Sequence, residues 1–261
     1  MAIRNVIIWL AGILLAGTAA PAQPLPGMHL TFNQDFAHFA ASPDGMVAGR
    51  PAWQTAFHDG SRTLPNNHEA EYYADPGPDG PFHAADGILT IRAAPQSGLP
   101  ANLEYSSGLI TSQKIFAQRY GYFEMRAQLP AGAGLWPAFW LLPADGSWPP
   151  EIDVMEMLGG TPDAYYVSTH AAGGNQTTRI AASGLTTGFH NFGVAWQPGH
   201  VAFYLDNVLV HETPTPAGMN QPMYLLANLA VGGPGSWPGA AISGTRGNLR
   251  IAWIKAWQFG P

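Results

Sequence analysis

The sequence predicts an all-β protein built as an antiparallel sandwich, and three observations support this fold class. Hydrophobic residues make up 46% of the 261 residues, which is enough for a sizeable core. Short stretches alternate apolar and polar residues, as strands with one buried face do. The 31 glycines and 24 prolines separate these stretches, with no long helical pattern between them. Such a succession favours a sandwich over a parallel α/β sheet.

The first element, residues 1–22, is predicted to be a signal peptide. Arg4 precedes an apolar run over residues 6–20, and the small residues A-P-A then supply a cleavage pattern. An uncleaved membrane anchor is the alternative, but the run is shorter than the roughly 20 residues that cross a bilayer. We therefore expect cleavage before Gln23, a secreted or periplasmic mature protein, and no membrane attachment after cleavage.

The remaining chain, residues 23–261, is predicted to form a single domain of short strands. Alternation with β-branched and aromatic side chains predicts strands at residues 87–92, 122–127, 201–205 and 249–254. Residues 200–210 are predicted to form a hairpin, because Asp206 and Asn207 tolerate the positive φ that a tight turn requires. No repeat, linker or charge run divides this part of the sequence.

Composition narrows the ligand class. The net charge is −6 with only 11 lysines and arginines, so no basic stripe is available for nucleic acid. Nine Trp, nine Tyr and twelve Phe beside few charges favour a neutral polyhydroxylated ligand held on flat apolar faces. The absence of cysteine excludes a disulfide framework and a thiolate metal site. The histidine spacing matches no catalytic metal motif.

The acidic residues concentrate in the stretch EIDVME, which contains Glu151, Asp153 and Glu156. On a regular strand Glu151 and Asp153 share one face, and Glu156 points to the other. A bulge of one residue around Val154 or Met155 would bring Glu156 to the face of the other two acids. The sequence therefore predicts a bulged strand with three carboxyls on one side.

Two carboxyls facing one cleft are what retaining glycoside hydrolysis requires. One attacks the anomeric carbon and the other protonates the leaving oxygen, at a separation of roughly 5–5.5 Å. A third acid, Asp153, would tune the pair through a hydrogen bond to one glutamate. The alternative is a solvated acidic edge strand. Against it, Ile, Val and Met alternate with the acids, and Trp148 flanks them. We predict the catalytic arrangement.

The same stretch resembles the bulged signature of glycoside hydrolase family 16. Further segments resemble the family in the same order, so that the resemblance covers nearly all of the predicted mature chain. They are residues 120–130 and 134–143 upstream, as in bacterial laminarinases, and residues 169–170, 189–190, 228–233 and 237–239 downstream.

The resemblance implies a β-jelly-roll sandwich whose concave face forms a glycan cleft, and retaining, endo-acting hydrolysis of a β-linked polysaccharide. By position it implies that Glu151 is the nucleophile, Glu156 the general acid and base, and Asp153 the residue that assists them. His170 is implied to lie beside the acid/base. A buried core histidine is the alternative for that residue.

Sugar-binding residues are also implied by the resemblance. Asn67, Glu69 and Glu71 resemble a polar cluster at the negative subsites, with Glu71 in place of the usual Gln. Further candidates for contact with the glycan are Trp136, Trp140, Trp148, Asn228 and Trp237.

The candidate tryptophans differ in local sequence. Trp140 lies in an apolar run and is the one most expected to be buried. Trp136 and Trp237 lie beside glycine and proline in predicted loops, and we expect them to face the cleft.

The polysaccharide itself stays open at this level. Leu109 stands where many laminarinases have an arginine, which argues against plain β-1,3-glucan. Residues 107–112 and 143–150 look more like exopolysaccharide depolymerases of the family, such as succinoglycan-cleaving enzymes. A succinoglycan-like exopolysaccharide and β-1,3(4)-glucan are the two candidates. A transglycosylase and a non-catalytic glycan-binding module are the alternatives in mechanism.

No cofactor is expected, and no catalytic metal. A structural calcium stays an open alternative: Asp35 is available as one ligand, but Ala252 stands about where the resemblance implies a second Asp in the last strand. We expect a monomer whose partner is its polysaccharide substrate.

Overall fold

The computed structural model describes residues 26–260, in which strands form two stacked sheets. The predicted all-β sandwich is confirmed. The only helical elements in this part of the chain are two single 3₁₀ turns, at Pro65–Asn67 and Pro100–Asn102. No helix within residues 26–260 is long and apolar enough to cross a membrane. The predicted signal peptide lies outside the described residues.

Ten strands, numbered in chain order together with those of the other sheet, form the larger sheet. They are β1 (Met28–Gln34), β6 (Glu71–Tyr73), β7 (Phe82–Ala85), β8 (Ile88–Pro95), β9 (Tyr105–Ser107), β11 (Gly121–Gln128), β16 (His190–Trp196), β17 (His200–Leu205), β18 (Val208–Pro214) and β20 (Gly247–Phe259). Their order is β18-β17-β16-β11-β20-β8-β9-β6, with β1 paired to β20 and β7 to β8.

Eight strands form the second sheet. They are β2 (Ala41–Ser42), β5 (Trp53–Gln54), β10 (Leu109–Thr111), β12 (Leu135–Pro143), β13 (Glu151–Glu156), β14 (Ala164–Ala171), β15 (Gly174–Ala181) and β19 (Met223–Val231). Their order is β15-β14-β13-β12-β19-β10-β5-β2. A separate short hairpin joins β3 (Met46–Val47) to β4 (Arg50–Pro51). The pairs β2–β5 and β6–β9 are parallel, whereas the strands around the site pair antiparallel.

The four predicted strands are confirmed as parts of β8, β11, β17 and β20. The predicted hairpin is also confirmed, because β17 and β18 pair antiparallel. Asp206 and Asn207 form its turn with φ of 49° and 67°, the left-handed region that short polar side chains tolerate.

Strand β12 shows how the sandwich positions a site. Leu135, Phe139 and Leu141 point into the core between the sheets. The alternate residues Trp136 and Trp140 point to the opposite face, where they line a cavity. The strand is apolar on both sides because one face packs on the core and the other forms the floor of that cavity.

Candidate active site

Strand β13 contains the predicted bulge. Asp153 pairs with Trp140 of β12, and Met155 pairs with the adjacent Phe139. Neighbouring residues of β12 thus pair with residues of β13 that are two apart, and Val154 between them has no partner on β12. Val154 is the additional residue of a β-bulge. The register with β14 shifts over the same interval. The prediction of a bulge around Val154 or Met155 is confirmed.

The bulge brings the three acids to one side of the sheet. Glu151, Asp153 and Glu156 all line one cavity, whereas Ile152 and Val154 are buried in the core. An extra residue between Asp153 and Glu156 compensates for the odd spacing in sequence, so that both side chains leave the strand on the cavity side.

The cavity has a volume of about 580 Å³ and is formed mainly by β12, β13, β14, β19 and the chain around residues 57–69. All predicted site residues except Glu71 line it. Besides the three acids these are Asn67, Glu69, Trp136, Trp140, Trp148, His170, Asn228 and Trp237. A volume of this size is typical of small-molecule sites.

Glu156 is the carboxyl best placed to hold a proton. Burial, followed by the negative charge of Glu151, raises the pKa of Glu156 to about 8. The indole N–H of Trp136 donates a hydrogen bond to Glu156 Oε1 at 3.0 Å, which lowers the pKa only in part. At neutral pH Glu156 is therefore a protonated acid open to the cavity.

The other two acids of the strand, Glu151 and Asp153, contact each other. Asp153 is only 3% exposed and hydrogen-bonds to Glu151. Burial, and then the negative charges of Glu151 and Glu156, raise the pKa of Asp153 well above its usual range. The protonated form of Asp153 is therefore favoured, and its O–H donates a hydrogen bond to Glu151. The indole N–H of Trp148 donates a further hydrogen bond to Glu151 Oε2.

His170 lies at a different place in the triad from the one that the resemblance implies. Its Nε2 is 2.9 Å from Asp153 Oδ2, and its partner in the β13–β14 register is Glu151. The hydrogen bond that Glu156 receives comes from Trp136 instead. His170 is partly open to the cavity, so the alternative of a buried core histidine is wrong.

The tryptophans form the apolar walls of the cavity. Trp148 and Trp237 are 63% and 44% exposed, and each offers a flat face to a ligand. Trp136 lies on β12 and not in the expected loop, and it packs edge to face against Trp237 with ring centroids 5.5 Å apart. Trp140 is buried as expected but also lines the cavity, and its indole N–H donates to Asn228 Oδ1 at 2.8 Å.

Glu71 requires a correction, because the expectation of sugar contact fails for this residue. Its side chain is fully buried and does not reach the cavity. Its Oε2 accepts the backbone N–H of Val231 at 2.6 Å. Glu69, which precedes β6 and forms a β-bridge with Gly232, does line the cavity and accepts a hydrogen bond from Asn67.

Several residues that line the cavity were missed from the sequence, among them Ser168, Thr177 and Phe57. The position of Ser168 could have been predicted from the alternation of side chains along a strand, because Ser168 lies two residues before His170 on β14. It also pairs with Asp153. Thr177 lies across the next strand pair, opposite Ser168. Phe57 comes from a loop, and no local pattern indicates its position.

Glu151, Asp153 and His170 also have the spacing of a possible metal ligand set, with one ligand atom of each within 4.8 Å of the others. Glu151 and Asp153 also belong to the acids that the predicted hydrolysis uses, so the arrangement is compatible with either role. That the protein uses no catalytic metal stays a prediction.

In sequence comparison, one family model matches the part of the chain that contains most of the site residues. The family model described as "Glycosyl hydrolases family 16" matches residues 68–255. Among curated proteins, the chain is 38% identical over 240 residues to an endo-1,3-1,4-beta-glycanase, EglC, of Rhizobium meliloti, covering 87% of this chain and 51% of that protein. It is 41% identical over 208 residues to a second one, ExsH, covering 75% and 44%. The chain thus spans about half the length of these relatives.

Structure comparison gives the same fold. The laminarinase catalytic domain of Thermotoga maritima superposes with a TM-score of 0.76 at 27% identity, covering 90% of this chain and 99% of that one. The jelly-roll form of the predicted sandwich is confirmed by this likeness.

Proposed function

The chain belongs to glycosyl hydrolases family 16, and on this premise we propose that it is a retaining, endo-acting glycoside hydrolase of β-linked polysaccharides. The observation that carries the proposal is the bulge at Val154, which directs Glu151 and Glu156 into one cavity. Simple binding requires no such pair of carboxyls. The proton on Glu156 and the hydrogen bonds to Glu151 divide the pair into an acid and a nucleophile.

The reaction proceeds in two displacements. In the first, Glu156 donates its proton to the glycosidic oxygen while the Glu151 carboxylate attacks the anomeric carbon, and the bond to the leaving sugar breaks. In the second, Glu156, now ionised, takes a proton from a water molecule, and the resulting hydroxide displaces Glu151. Two inversions at one carbon give net retention.

Asp153 assists Glu151 through its proton. The hydrogen bond from Asp153 stabilises the ionised nucleophile before attack and the released carboxylate at the end of the cycle. His170, at 2.9 Å from Asp153, holds that carboxyl in place. Both residues thus act through Glu151.

The substrate proposed is a glucan with β-1,3 and β-1,4 linkages or a succinoglycan-like exopolysaccharide. The names of the two Rhizobium relatives support the first linkage class. Leu109, in place of an arginine, and the run before the acid triplet support an exopolysaccharide. The open cavity with exposed Trp148 and Trp237 fits an extended chain that is cut internally.

A panel of polysaccharides tests this proposal. The purified protein is incubated with β-1,3-glucan, mixed-linkage glucan, xyloglucan, agarose, carrageenan and succinoglycan, and products are followed by reducing-end assay and mass analysis. We expect oligosaccharides from mixed-linkage glucan or succinoglycan, first released as the β-anomer in NMR spectra. An initial α-anomer would overturn retention.

Two other results would select the alternatives. Larger products on addition of an oligosaccharide acceptor would identify a transglycosylase. Binding without any release of reducing ends would identify a glycan-binding module and overturn hydrolysis.

We also propose that the protein is exported and acts as a monomer. The pattern of residues 1–22 supports export. N-terminal sequencing of the protein from its host should find Gln23 first, and size-exclusion chromatography should give a mass near that of one chain.

A further inference from the structure

A pair of buried carboxyls stands behind one wall of the cavity. Glu71 of β6 is 0% exposed, and Glu69, which precedes the strand, is 9% exposed. The two carboxyl groups lie close enough to interact. Two buried carboxylates in contact cannot both carry a charge, because each disfavours ionisation of the other. One of them therefore holds a proton.

The hydrogen-bond donors around the pair decide which one. Glu69 accepts the backbone N–H of Leu64 at Oε2 and the side-chain amide of Asn67 at Oε1, both at 3.1 Å. Glu71 accepts the N–H of Val231 at Oε2. Its Oε1 has no donor among residues 26–260. Donors stabilise a carboxylate, so the charge belongs on Glu69 and the proton on Glu71 Oε1, directed at Glu69.

Nothing else around the pair supplies a compensating charge in the described structure. Tyr73, on the same strand, is neutral and accepts a hydrogen bond from Asn228 of β19 at 2.9 Å, which leaves its own hydroxyl proton for the carboxyl pair. From β9 the facing residue is Tyr105, whose hydroxyl donates to a backbone carbonyl. Arg62, which contacts the backbone of Tyr73, is paired with Asp75.

We infer that Glu71 is a positioning residue that works as a neutral acid: its hydroxyl donates to Glu69 and holds that carboxylate, with Asn67, at the wall of the cavity. The inference deepens the proposed function and rests on it, since the cavity is the glycan site of that proposal. Burial, followed by the negative charge of Glu69, also raises the pKa of Glu71 well above its usual range.

The consequence concerns substrate binding more than chemistry. Glu69 and Asn67 line the cavity from the segment before β6, whereas Glu151 and Glu156 are on β13. Loss of the donor at Glu71 leaves Glu69 without one of its hydrogen bonds and frees its side chain to move. KM should rise, and kcat should change little.

Two variants of Glu71 distinguish the role of a neutral hydrogen-bond donor from the role of a negatively charged side chain. E71Q retains a donor and an acceptor of the same shape, so its amide can accept from Val231 and donate to Glu69. We expect its KM to stay within about threefold of the parent value. E71L removes the donor, and we expect KM to rise about tenfold or more while kcat stays within about threefold. A rise of this size corresponds to the loss of one hydrogen bond to a charged group. E104Q, at an exposed acid nearby, is the matched control and should leave both constants unchanged.

A pH readout without substrate completes the test. Because the folded pKa of Glu71 is raised, the parent protein loses stability relative to E71Q as the pH rises above the unfolded value of about 4.5. The ratio of their unfolding equilibrium constants should change by up to about tenfold per pH unit. Urea unfolding at several pH values measures it, with E104Q showing no such trend.

Distinct results would overturn the inference. If E71Q raises KM as much as E71L does, or if the parent and E71Q show the same pH dependence of stability, Glu71 is an ionised residue and the assignment is wrong. Should E71L fail to fold, the comparison of E71Q with the parent still decides. If no polysaccharide is cleaved, the proposed function fails, but the unfolding experiment still tests the proton on Glu71.

Discussion

Glu156, which is half-buried, and Glu124, which is buried, are acids on different sheets of the sandwich, and they differ in what surrounds them. Burial raises the pKa of both, to about 8 for Glu156 and about 7 for Glu124. Glu156 opens into a cavity of about 580 Å³ that also contains Glu151. Glu124, on β11, is 0% exposed and accepts a hydrogen bond from the Tyr122 hydroxyl at 2.9 Å. A raised pKa therefore marks burial, whereas a cavity and a second carboxyl mark a candidate site.

The neighbourhood of Glu124 explains its enclosure. Gly193 of β16 is its partner in the sheet, and a side chain at Gly193 would collide with the Tyr122 hydroxyl. The glycine leaves room for the tyrosine to lie over the strand and cover the acid. No substrate can reach a carboxyl that is closed in this way.

The largest effect should come from removing the proposed nucleophile. E151Q abolishes the attack on the anomeric carbon, so we expect kcat to fall by on the order of a thousandfold or more. Circular dichroism should show an unchanged fold, because Glu151 lies at the cavity surface. E124Q, the matched change on the other sheet, should retain turnover. Reducing ends released by E151Q at the parent rate would contradict the assignment.

The second effect concerns the proton on Glu156. The acid form is needed for the first step, so the kcat of the parent should fall as the pH rises through about 8. E156Q cannot donate a proton, and its kcat should be lower by about 10²–10⁴-fold, without this alkaline limb. The pH profile of E124Q should keep the limb. A limb that survives in E156Q would assign it to another group.

Glu124 should instead affect stability. Its folded pKa of about 7 lies above the unfolded value of 4.5, so the folded protein binds more protons, and stability falls as the pH rises between these values. E124Q removes this term. Relative to the parent, it should gain about 3 kcal/mol between pH 4.5 and pH 7, as urea unfolding measures. Equal pH dependence in both proteins would show that Glu124 is ionised.

The smallest effect is expected at an exposed tryptophan. W148A removes a flat face beside Glu151, together with the indole N–H that donates to Glu151 Oε2, and should raise KM by roughly fivefold, equivalent to about 1 kcal/mol of aromatic contact. L209A, at a residue that is also exposed but lies in the β17–β18 hairpin, should leave KM unchanged. An equal change in both variants would argue against contact between Trp148 and the glycan.

The sequence was sufficient to predict features that depend on the alternation of side chains between the two faces of one strand. Alternation predicted β8, β11, β17 and β20. The odd spacing of Glu156 from Asp153 predicted a bulge at the place where the register shifts. Side chains alternate with a period of two, so a single extra residue has a determinate effect on which face each acid occupies.

The sequence was insufficient where a side chain depends on a distant segment. Glu71 was expected at the sugar, but Val231, 160 residues away in sequence, provides its hydrogen bond and buries it. His170 was expected beside Glu156, whereas the β13–β14 register places it opposite Glu151 and beside Asp153. Neither outcome can be found from a local pattern.

The sequence by itself thus determined the sandwich, the bulged strand and the common face of the three acids, because these follow from the local geometry of extended chains. The tertiary structure alone decided which acids hold protons and which residues reach the cavity. Protonation depends on desolvation and on charges from other strands, and access depends on which loops close over each side chain. The raised pKa of Glu156 and the burial of Glu71 are both consequences of that packing.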